Sequence, residues 1–576
     1  MTRLVRTELT LSKAEVVAPN GLVVGEHPLI AEAGAEILLK GGNAVDAAVA
    51  AAFAAGVVEP FMSGIGGLGY LVVHDNRRGR QFVVEFTGRT PAAAGPETFE
   101  LDPAGGQAGM FGWPAVKDRA NLVGYRAPLV PGTVAGLALA LEKFGTMRLD
   151  QVLEPAIRYA EEGFPMDWYV SLNIAVAMAE LTAFPETAAV FLPKGVPPRP
   201  RTRWWEPAEI FRQPELAETL KLIGREGPDA FYRGPIAARV AEAMAARGGL
   251  ITREDLARYE PKLYEEPLRT TYRGFEIVAA PGPCAGTTLV EMLNVAEGFG
   301  LRRYGHNSAQ SLHLIAETSR RAFADRFAFL ADPDFIDAPW SGLVSKDYAA
   351  EVRSTIDLER AAPEVSPGNP WKYEGRPAPA PAEGSAGPDP GCTTHLGVVD
   401  RERNMVSLTN TLGELFGCRV VVPGTGILLN NGMVWFDPRP GRPNSLAGNK
   451  RPLVNMTPAL VLRDGRPFMT IGAPGARRLI TAVFQSILNV LEFGLGIQAA
   501  VAAPRVHCEG PETHIDGRIP AETRDLLGAM GHRLVVLEQT VAASDFGRPV
   551  GIIVDPADGC LHGGVHVQQP ATAVGF

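Results

Sequence analysis

Between residues 361 and 391 the chain loses all periodicity, and Pro, Gly, Ala and Ser dominate the stretch. It then turns at once into a β-patterned segment, Thr393-Thr394-His395-Leu396-Gly397-Val398-Val399-Asp400. A run this long without structure of its own is either functional or a linker. It therefore divides the chain into a helix-rich part before and a strand-rich part after. The segments 393–400 and 405–412, joined by Arg401-Glu402-Arg403-Asn404, read as a hairpin. A loop of three or four residues sets Thr393 opposite Thr411 or Leu412. Two hydroxyl side chains are thus expected to meet where the linker ends.

The part before the break reads mostly as helix. A strand over 17–25 precedes a helix that begins at Pro28, a tolerated first-turn position, and stops at Gly41-Gly42. Asn43 caps a second helix over 44–55, whose Ala-rich surface on every side predicts burial between layers. Strands follow at 70–74 and 83–86. Helices are predicted over 131–144, 215–223, 236–247, 288–297 and 309–330 by apolar spacing of three and four, with one strand at 273–278. After the break come strands at 393–399, 405–412, 426–429, 459–462 and 468–472, an apolar helix over 479–493, and strands at 534–537 and 551–554. Strands layered against flanking helices predict an α+β fold of the αββα sandwich type.

Composition removes several classes of function. The chain has 576 residues and a net charge of -9, so it holds no surplus of cations with which to neutralise nucleic-acid phosphates. Five scattered cysteines, Cys284, Cys392, Cys418, Cys508 and Cys560, show no CxxC spacing and read as reduced thiols. The first residues lack the apolar run of a signal peptide, and no stretch is long and apolar enough for a membrane span. A cytoplasmic protein is the expectation. The ten histidines show no metal-ligand spacing, no cofactor is implied, and there is no G-x-S-x-G elbow. Gly64-Ile65-Gly66-Gly67-Leu68-Gly69 matches G-x-G-x-x-G, but it precedes a strand instead of opening a helix, which predicts close backbone packing and not a dinucleotide site.

A threonine hydroxyl attacks a carbonyl only if something removes its proton. The α-amino group of the same residue can do so, since it titrates at about 7.7–8.0. Thr393 owns such an amine only if the Cys392–Thr393 peptide is broken, and its own hydroxyl can break that bond by attacking the preceding carbonyl. The competing reading is that Thr393 simply opens a strand, where β-branched residues are favoured.

The chain resembles the γ-glutamyltransferase (glutathione hydrolase) family of N-terminal nucleophile hydrolases. The matching segments run in order along nearly its whole length. They are Gly41-Gly42-Asn43-Ala44-Val45-Asp46-Ala47, Ser63-Gly64-Ile65-Gly66-Gly67, Pro131-Gly132-Thr133-Val134-Ala135-Gly136, Gly248-Gly249-Leu250-Ile251-Thr252, Thr393-Thr394-His395 with Val398-Val399-Asp400, Gly426-Ile427-Leu428-Leu429-Asn430-Asn431, Arg451-Pro452-Leu453, Met456-Thr457-Pro458 and Gly472-Ala473-Pro474-Gly475. The resemblance implies autocatalytic cleavage before Thr393 into a large subunit, 1–392, and a small subunit, 393–576, that stay together as a heterodimer and can pair further. It implies Thr393 as nucleophile, Thr411 as its hydrogen-bond partner, and the amides of Gly475 and Ala476 as the oxyanion hole.

The residues that hold a γ-glutamyl head in the family are mostly replaced. Thr87 stands where the resemblance places a carboxylate-binding Arg, with Arg89 two residues on and so on the same face of a strand. Gly432 and Trp435 stand where acidic or amide groups hold the α-amino group, beside Asn431, and Gly413 replaces an Asn after Thr411. Val454-Asn455 replaces a Ser-Ser pair. These losses remove the bidentate carboxylate grip and the counter-charge for an ammonium. The favoured reading is a threonine amide hydrolase or acyltransferase acting on a small-molecule amide without a γ-glutamyl head, as cephalosporin acylases and oxamate amidohydrolases do. The alternatives are a γ-glutamyltransferase in which Arg89 stands in, and a silent scaffold.

Overall fold

The computed structural model describes residues 10–108, 113–378, 391–541 and 545–576. Fourteen strands build its two main sheets: β1 (Val16–Ala18), β2 (Leu22–Gly25), β3 (Leu68–Asp75), β4 (Arg80–Phe86), β5 (Lys262–Tyr264), β6 (Leu268–Tyr272), β7 (Phe275–Ala279), β8 (Cys392–Val399), β9 (Met405–Gly413), β10 (Ala459–Arg463), β11 (Arg466–Gly472), β12 (Val550–Val554), β13 (Leu561–Val565) and β14 (Thr572–Gly575). Both are seven-stranded and antiparallel, in the orders β1-β13-β12-β11-β10-β7-β6 and β14-β2-β8-β9-β3-β4-β5.

Side-chain alternation sorts the core into three sheets of contact, which is what four layers require. Leu22, Val24, Tyr70, Val72 and Val83 of the second sheet meet Val278, Leu460, Leu462 and Ile552 of the first in the middle. Val23, Leu71, Val73, Val84, Leu396 and Leu408 face the other way, onto helices α1 (Pro28–Leu39), α2 (Ala44–Val58) and α3 (Thr133–Phe144). Further along the chain come α4 (Trp168–Thr182), α5 (Gly286–Glu297), α6 (Ala309–Phe329) and α7 (Arg478–Leu491). Of these, α5, α6 and α7 cover the outer face of the first sheet, against Tyr272, Ile277, Val461, Met469 and Ile471.

Helix α2 is buried at every one of its 15 positions, as its all-round alanine surface predicts. Its start is fixed by charge and caps. Asn43 accepts from the Val45 and Asp46 amides, and Asp46 accepts from the Asn43 amide and from Thr146 and Met147. The Ala44 amide donates to Asp400 at the end of β8. The Gly-Gly-Asn-Ala-Val-Asp and Val-Val-Asp motifs are thus two halves of one joint.

Four expectations are corrected. The strand over 17–25 is two strands in different sheets, because Pro19-Asn20-Gly21 turns the chain between layers. The strand at 273–278 is the second arm of a hairpin whose tight turn is Arg273-Gly274, both at positive φ, so β6 escaped detection. The segment 426–429 contributes only Ile427–Leu428, which pairs with Val421–Val422 outside both main sheets. The linker is partly ordered: a short 3-10 turn, Pro370–Glu374, buries Trp371, while residues 379–390 lie outside the described residues.

No helix among the described residues is long and apolar enough to cross a membrane.

Candidate active site

The β8–β9 hairpin carries Thr393 and Thr411. Its register runs regularly from Val399↔Met405 back to Thr394↔Asn410, then slips so that Cys392 faces Gly413. The slip is a β-bulge, which re-aims the side chain that it frees. The extra residue is on β9, where Thr411 and Leu412 together oppose Thr393, and the Thr393 Oγ1 lies 3.5 Å from the Thr411 Oγ1. The predicted pairing of the two hydroxyls is therefore present, through a bulge that spacing alone did not reveal.

The Thr411 hydroxyl makes two short hydrogen bonds. It accepts from the Gly413 amide at 2.9 Å and donates to the carbonyl oxygen of Cys392 at 2.5 Å. That carbonyl belongs to the Cys392–Thr393 peptide. A hydrogen bond to a carbonyl oxygen polarises the carbon, and here the bonded carbonyl is next to a second, incoming hydroxyl. With its own proton on Cys392, the Thr411 oxygen is left to accept from Thr393.

The glycines at 64–69 seat this hairpin. A Cβ at Gly67 would lie 2.5 Å from the Thr411 carbonyl oxygen, and one at Gly69 would lie 2.4 Å from that of Thr409. Any side chain there would lift β9 off its neighbour. The glycine loop thus packs against backbone, as expected, and behind Thr411 in particular.

His395 sits between the sheets. Its Nδ1 is 2.8 Å from Thr409 Oγ1, and its ring lies where a Cβ on Gly472 would be, 2.1 Å away. Burial pushes its pKa down to about 3, so it is neutral and serves as packing. The contact brings the end of β11 over the start of β8. From there Ala473-Pro474-Gly475-Ala476 leads into α7. Gly475 and Ala476 both have positive φ, 125° and 51°. For alanine that is the left-handed region, a strained conformation of the kind found at functional turns. The turn holds amides at the start of α7, where the helix dipole favours negative charge.

The residues expected to line the acyl pocket fall into two groups. Trp435 and Val454 are buried in the apolar layer between the sheets, with Leu129 beside Gly432. Thr87 turns its hydroxyl onto Glu85 at 2.8 Å. Asn431 is committed to structure, bonding the Glu414 amide and the Leu122 carbonyl. Asn455 accepts from Arg326, which also holds the Val454 carbonyl at 2.7 Å. Arg89 pairs through its backbone with Val130, the neighbour of Leu129. It is half-buried, and its guanidinium donates to the Asn449 carbonyl at 3.1 Å.

Sequence reasoning missed the second threonine's partner. Thr394 points to the helix side of the sheet, where its Oγ1 donates to Glu59 at 3.2 Å. Glu59 ends α2 and is fully buried, and its other carboxyl oxygen has no partner among the described residues. Burial pushes its pKa up to about 7, helped by nearby Glu26 and opposed by His27, Arg548 and the Thr394 bond. Glu26, 2.8 Å from His566, is pushed up to about 8 by burial, against the pull of Arg548 and Lys13. A Glu closing an otherwise apolar helix was the available signal.

A carboxyl whose folded pKa is raised binds its proton more tightly in the native state. The stability it contributes is full below the unfolded value near 4.5 and is lost as pH rises through about 7. Glu59→Gln keeps an acceptor for Thr394 and removes this loss. Urea denaturation at pH 8 is expected to find the variant more stable by up to about 3 kcal/mol, from 1.36 kcal/mol per unit, with the two proteins converging near pH 5. A variant less stable than wild type at pH 8 would refute the assignment.

Among the described residues the one His/carboxylate group with metal-like spacing is Asp555, Asp558 and His562, in the β12–β13 turn and not at Thr393.

The chain is similar along nearly its whole length to known amide hydrolases. The chain is 40% identical over 533 residues to an "Acylase ACY 1 proenzyme" of Pseudomonas sp. (strain SE83), covering 92% of this chain and 89% of that protein. It is 36% identical over 565 residues to the glutathione hydrolase proenzyme of Bacillus subtilis (strain 168), covering 97% and 92%. Its fold superposes on the crystal structure of a cephalosporin acylase from Bacillus halodurans with a TM-score of 0.85 at 29% identity, covering 100% and 99% of the two chains. The family model described as gamma-glutamyltranspeptidase matches residues 30–575, and the chain belongs to that family.

Proposed function

We propose that this protein is an autoprocessed threonine amide hydrolase that forms its acyl-enzyme on Thr393 and acts on amides without a γ-glutamyl head. The observation that carries the reading is the hydrogen bond from Thr411 to the Cys392 carbonyl, with the Thr393 hydroxyl beside it.

In processing, Thr393 Oγ1 adds to the Cys392 carbonyl carbon while the Thr411 proton holds the developing oxyanion. The hydroxyl proton passes to the departing nitrogen as collapse breaks the C–N bond, which leaves an ester on Oγ1 and frees the Thr393 amine. Water then hydrolyses the ester to a Cys392 carboxylate and a free hydroxyl. In turnover that amine takes the hydroxyl proton, Oγ1 attacks the substrate amide, and the amine product departs with the proton. Water releases the acid from the acyl-enzyme. The Gly475 and Ala476 amides at the α7 terminus are the oxyanion donors for this second reaction. The halves 1–392 and 393–576 stay together because cleavage detaches only the first residue of β8 and keeps the strand order of both sheets. β8, β9 and β14 alternate with β2 and β3 in one sheet, and β10–β13 lie between β1 and β7 in the other.

The acyl preference rests on Trp435 and Val454. An apolar wall cannot replace the hydration of an ammonium, and the acylase relatives fit that chemistry. Arg89 supports the second reading, γ-glutamyl transfer or hydrolysis, since it forms no ion pair among the described residues and lies two positions from Thr87.

Purified protein is expected to run as two fragments on a denaturing gel, the smaller beginning Thr-Thr-His. Glutaryl anilide is expected to be cleaved with a kcat/KM about 100-fold above γ-glutamyl anilide, the discrimination a site exerts against an unpaired buried polar group. A preference for the γ-glutamyl compound that Arg89→Ala abolishes would establish the second reading.

A further inference from the structure

Arg477 follows Ala476 directly, and its side chain is fully buried beside the turn that carries the oxyanion donors. Its Nε donates to one carboxyl oxygen of Glu509 at 2.6 Å and its Nη2 to the other at 2.7 Å, a bidentate fork. The guanidinium also lies 5.9 Å from the centre of the Phe327 ring, on α6. Burial opposes the charge on Glu509, but Arg477 outweighs it and holds the carboxyl well below the ordinary carboxylate range.

Such a pair is a poor source of stability. Desolvating two charges costs about as much as their attraction returns, and well-packed apolar residues in their place often do as well. What a fork does provide is fixed geometry, since two parallel bonds admit one orientation of the guanidinium.

The surroundings show what that geometry serves. Gly475 and Ala476 are both at positive φ, and alanine keeps that conformation only where its neighbours impose it. On one side the turn is tied by the Arg548 amide, which donates to the Pro474 carbonyl at 3.0 Å, and by Gly547, whose Cα is 2.7 Å from where a Gly475 Cβ would be. On the other side the first turns of α7 are zipped to the strand Val506–Cys508. Gln485 exchanges bonds with the carbonyl and amide of Val506, and Thr481 Oγ1 meets His507 Nδ1 at 3.0 Å. Glu509 is the next residue after this strand. Its bond to Arg477 is therefore the last rung of the zip, and the rung beside Ala476. Both partners lie after residue 392, so the clamp passes unchanged through cleavage. The guanidinium has an electrostatic effect as well. An unpaired carboxylate next to this turn would oppose an oxyanion forming there, and Arg477 cancels it.

We infer that Arg477, through its fork on Glu509, is a positioning residue for the oxyanion donors Gly475 and Ala476 in amide turnover. The inference rests on the acyl-enzyme reaction proposed at Thr393, and it adds a division of labour. Processing, whose oxyanion is met by the Thr411 proton, does not need the clamp.

Kinetics of purified variants test it, with whichever anilide, glutaryl or γ-glutamyl, the wild type hydrolyses faster. Arg477→Met is expected to be cut into two fragments, yet to lose about 100-fold in kcat with KM within about threefold, the effect of misplacing one oxyanion donor. Arg477→Lys keeps the charge but not the fork, and is expected to lose about tenfold in kcat. Adding Glu509→Gln to Arg477→Met is expected to recover at least about threefold, because no unpaired carboxylate then remains. Wild-type kcat in Arg477→Lys would overturn the inference, and this variant decides the matter even if Arg477→Met does not fold. A loss carried by KM, or one that falls equally on processing, would overturn it too, since either marks a general structural role. A wild type that is cut but hydrolyses no amide would overturn the underlying function, and this inference with it.

Discussion

Thr393→Ala is expected to yield one uncut chain with no detectable amide hydrolysis, a loss of at least about 10⁴ in rate. Both losses have one cause. The hydroxyl that attacks the Cys392 carbonyl in processing is the hydroxyl that attacks substrate afterwards, so a single oxygen serves both reactions. Nothing nearby can replace it. His395 is pushed to a pKa of about 3 by burial and is spent on packing against Gly472. Thr411 has its proton on the Cys392 carbonyl and its oxygen on the Gly413 amide. The fold should be indifferent to the change, because the hydroxyl makes only a 3.5 Å contact with Thr411, too long to contribute more than a fraction of an ordinary hydrogen bond. The measurement therefore separates chemistry from folding. The variant should match unprocessed wild type in circular dichroism and denaturation midpoint. Thr393→Ser, which keeps a hydroxyl, should cut and turn over at a reduced rate. A Thr393→Ala protein that still gives two fragments would remove Thr393 from the mechanism.

How much of this was legible in the sequence depends on the range of the interaction. The hairpin was readable because two alternating runs and a four-residue loop fix a register locally. So was α2, whose alanine on all sides reads as burial between layers once the segment is too short to span a membrane. The bulge on β9 opposite Thr393 was not, since a slip of one residue leaves the apolar alternation unchanged until the last pair. Nor was the hairpin of β6 and β7, whose turn rests on Arg273 at positive φ, a conformation no composition rule assigns to arginine. The site itself divides in the same way. Thr393 and Thr411 lie 18 positions apart on one hairpin. Glu59 reaches Thr394 across 335 positions, and a contact of that span is fixed only by the packing of α2 on β8. Trp435 and Val454 were recognisable as departures from a family pattern. Their joint burial in the apolar layer between the two sheets is a property of the fold.

The largest effect on stability is expected from Arg451→Met, which lies in the run leading to Val454. Arg451 is almost fully buried. Its guanidinium pairs with Glu85 at 3.1 Å, Asp332 at 2.6 Å and the half-exposed Asp334 at 2.8 Å, and its amide donates to Asp332 at 2.7 Å. Burial opposes the charge on the arginine, but Glu85 and Asp332 outweigh it and hold the guanidinium protonated. Glu85 is on β4 and Asp332 follows α6, both before residue 392, whereas Arg451 lies after it. The cluster therefore pins the two halves of a processed chain to one another from within. It also anchors the backbone that presents Val454 and Asn455. Removing the cation leaves two buried carboxylates without compensation, a change that costs about 3–5 kcal/mol. Methionine fills much of the volume, so the loss reads out charge and not a cavity. Equilibrium denaturation of the processed protein should show a loss of that size. Adding Glu85→Gln and Asp332→Asn should recover at least about 2 kcal/mol of it, because neutral groups no longer need a counter-ion. A purely steric role for Arg451 predicts the opposite. The added substitutions would then deepen the loss, and Arg451→Met would cost no more than about 1 kcal/mol, as volume-conserving changes do.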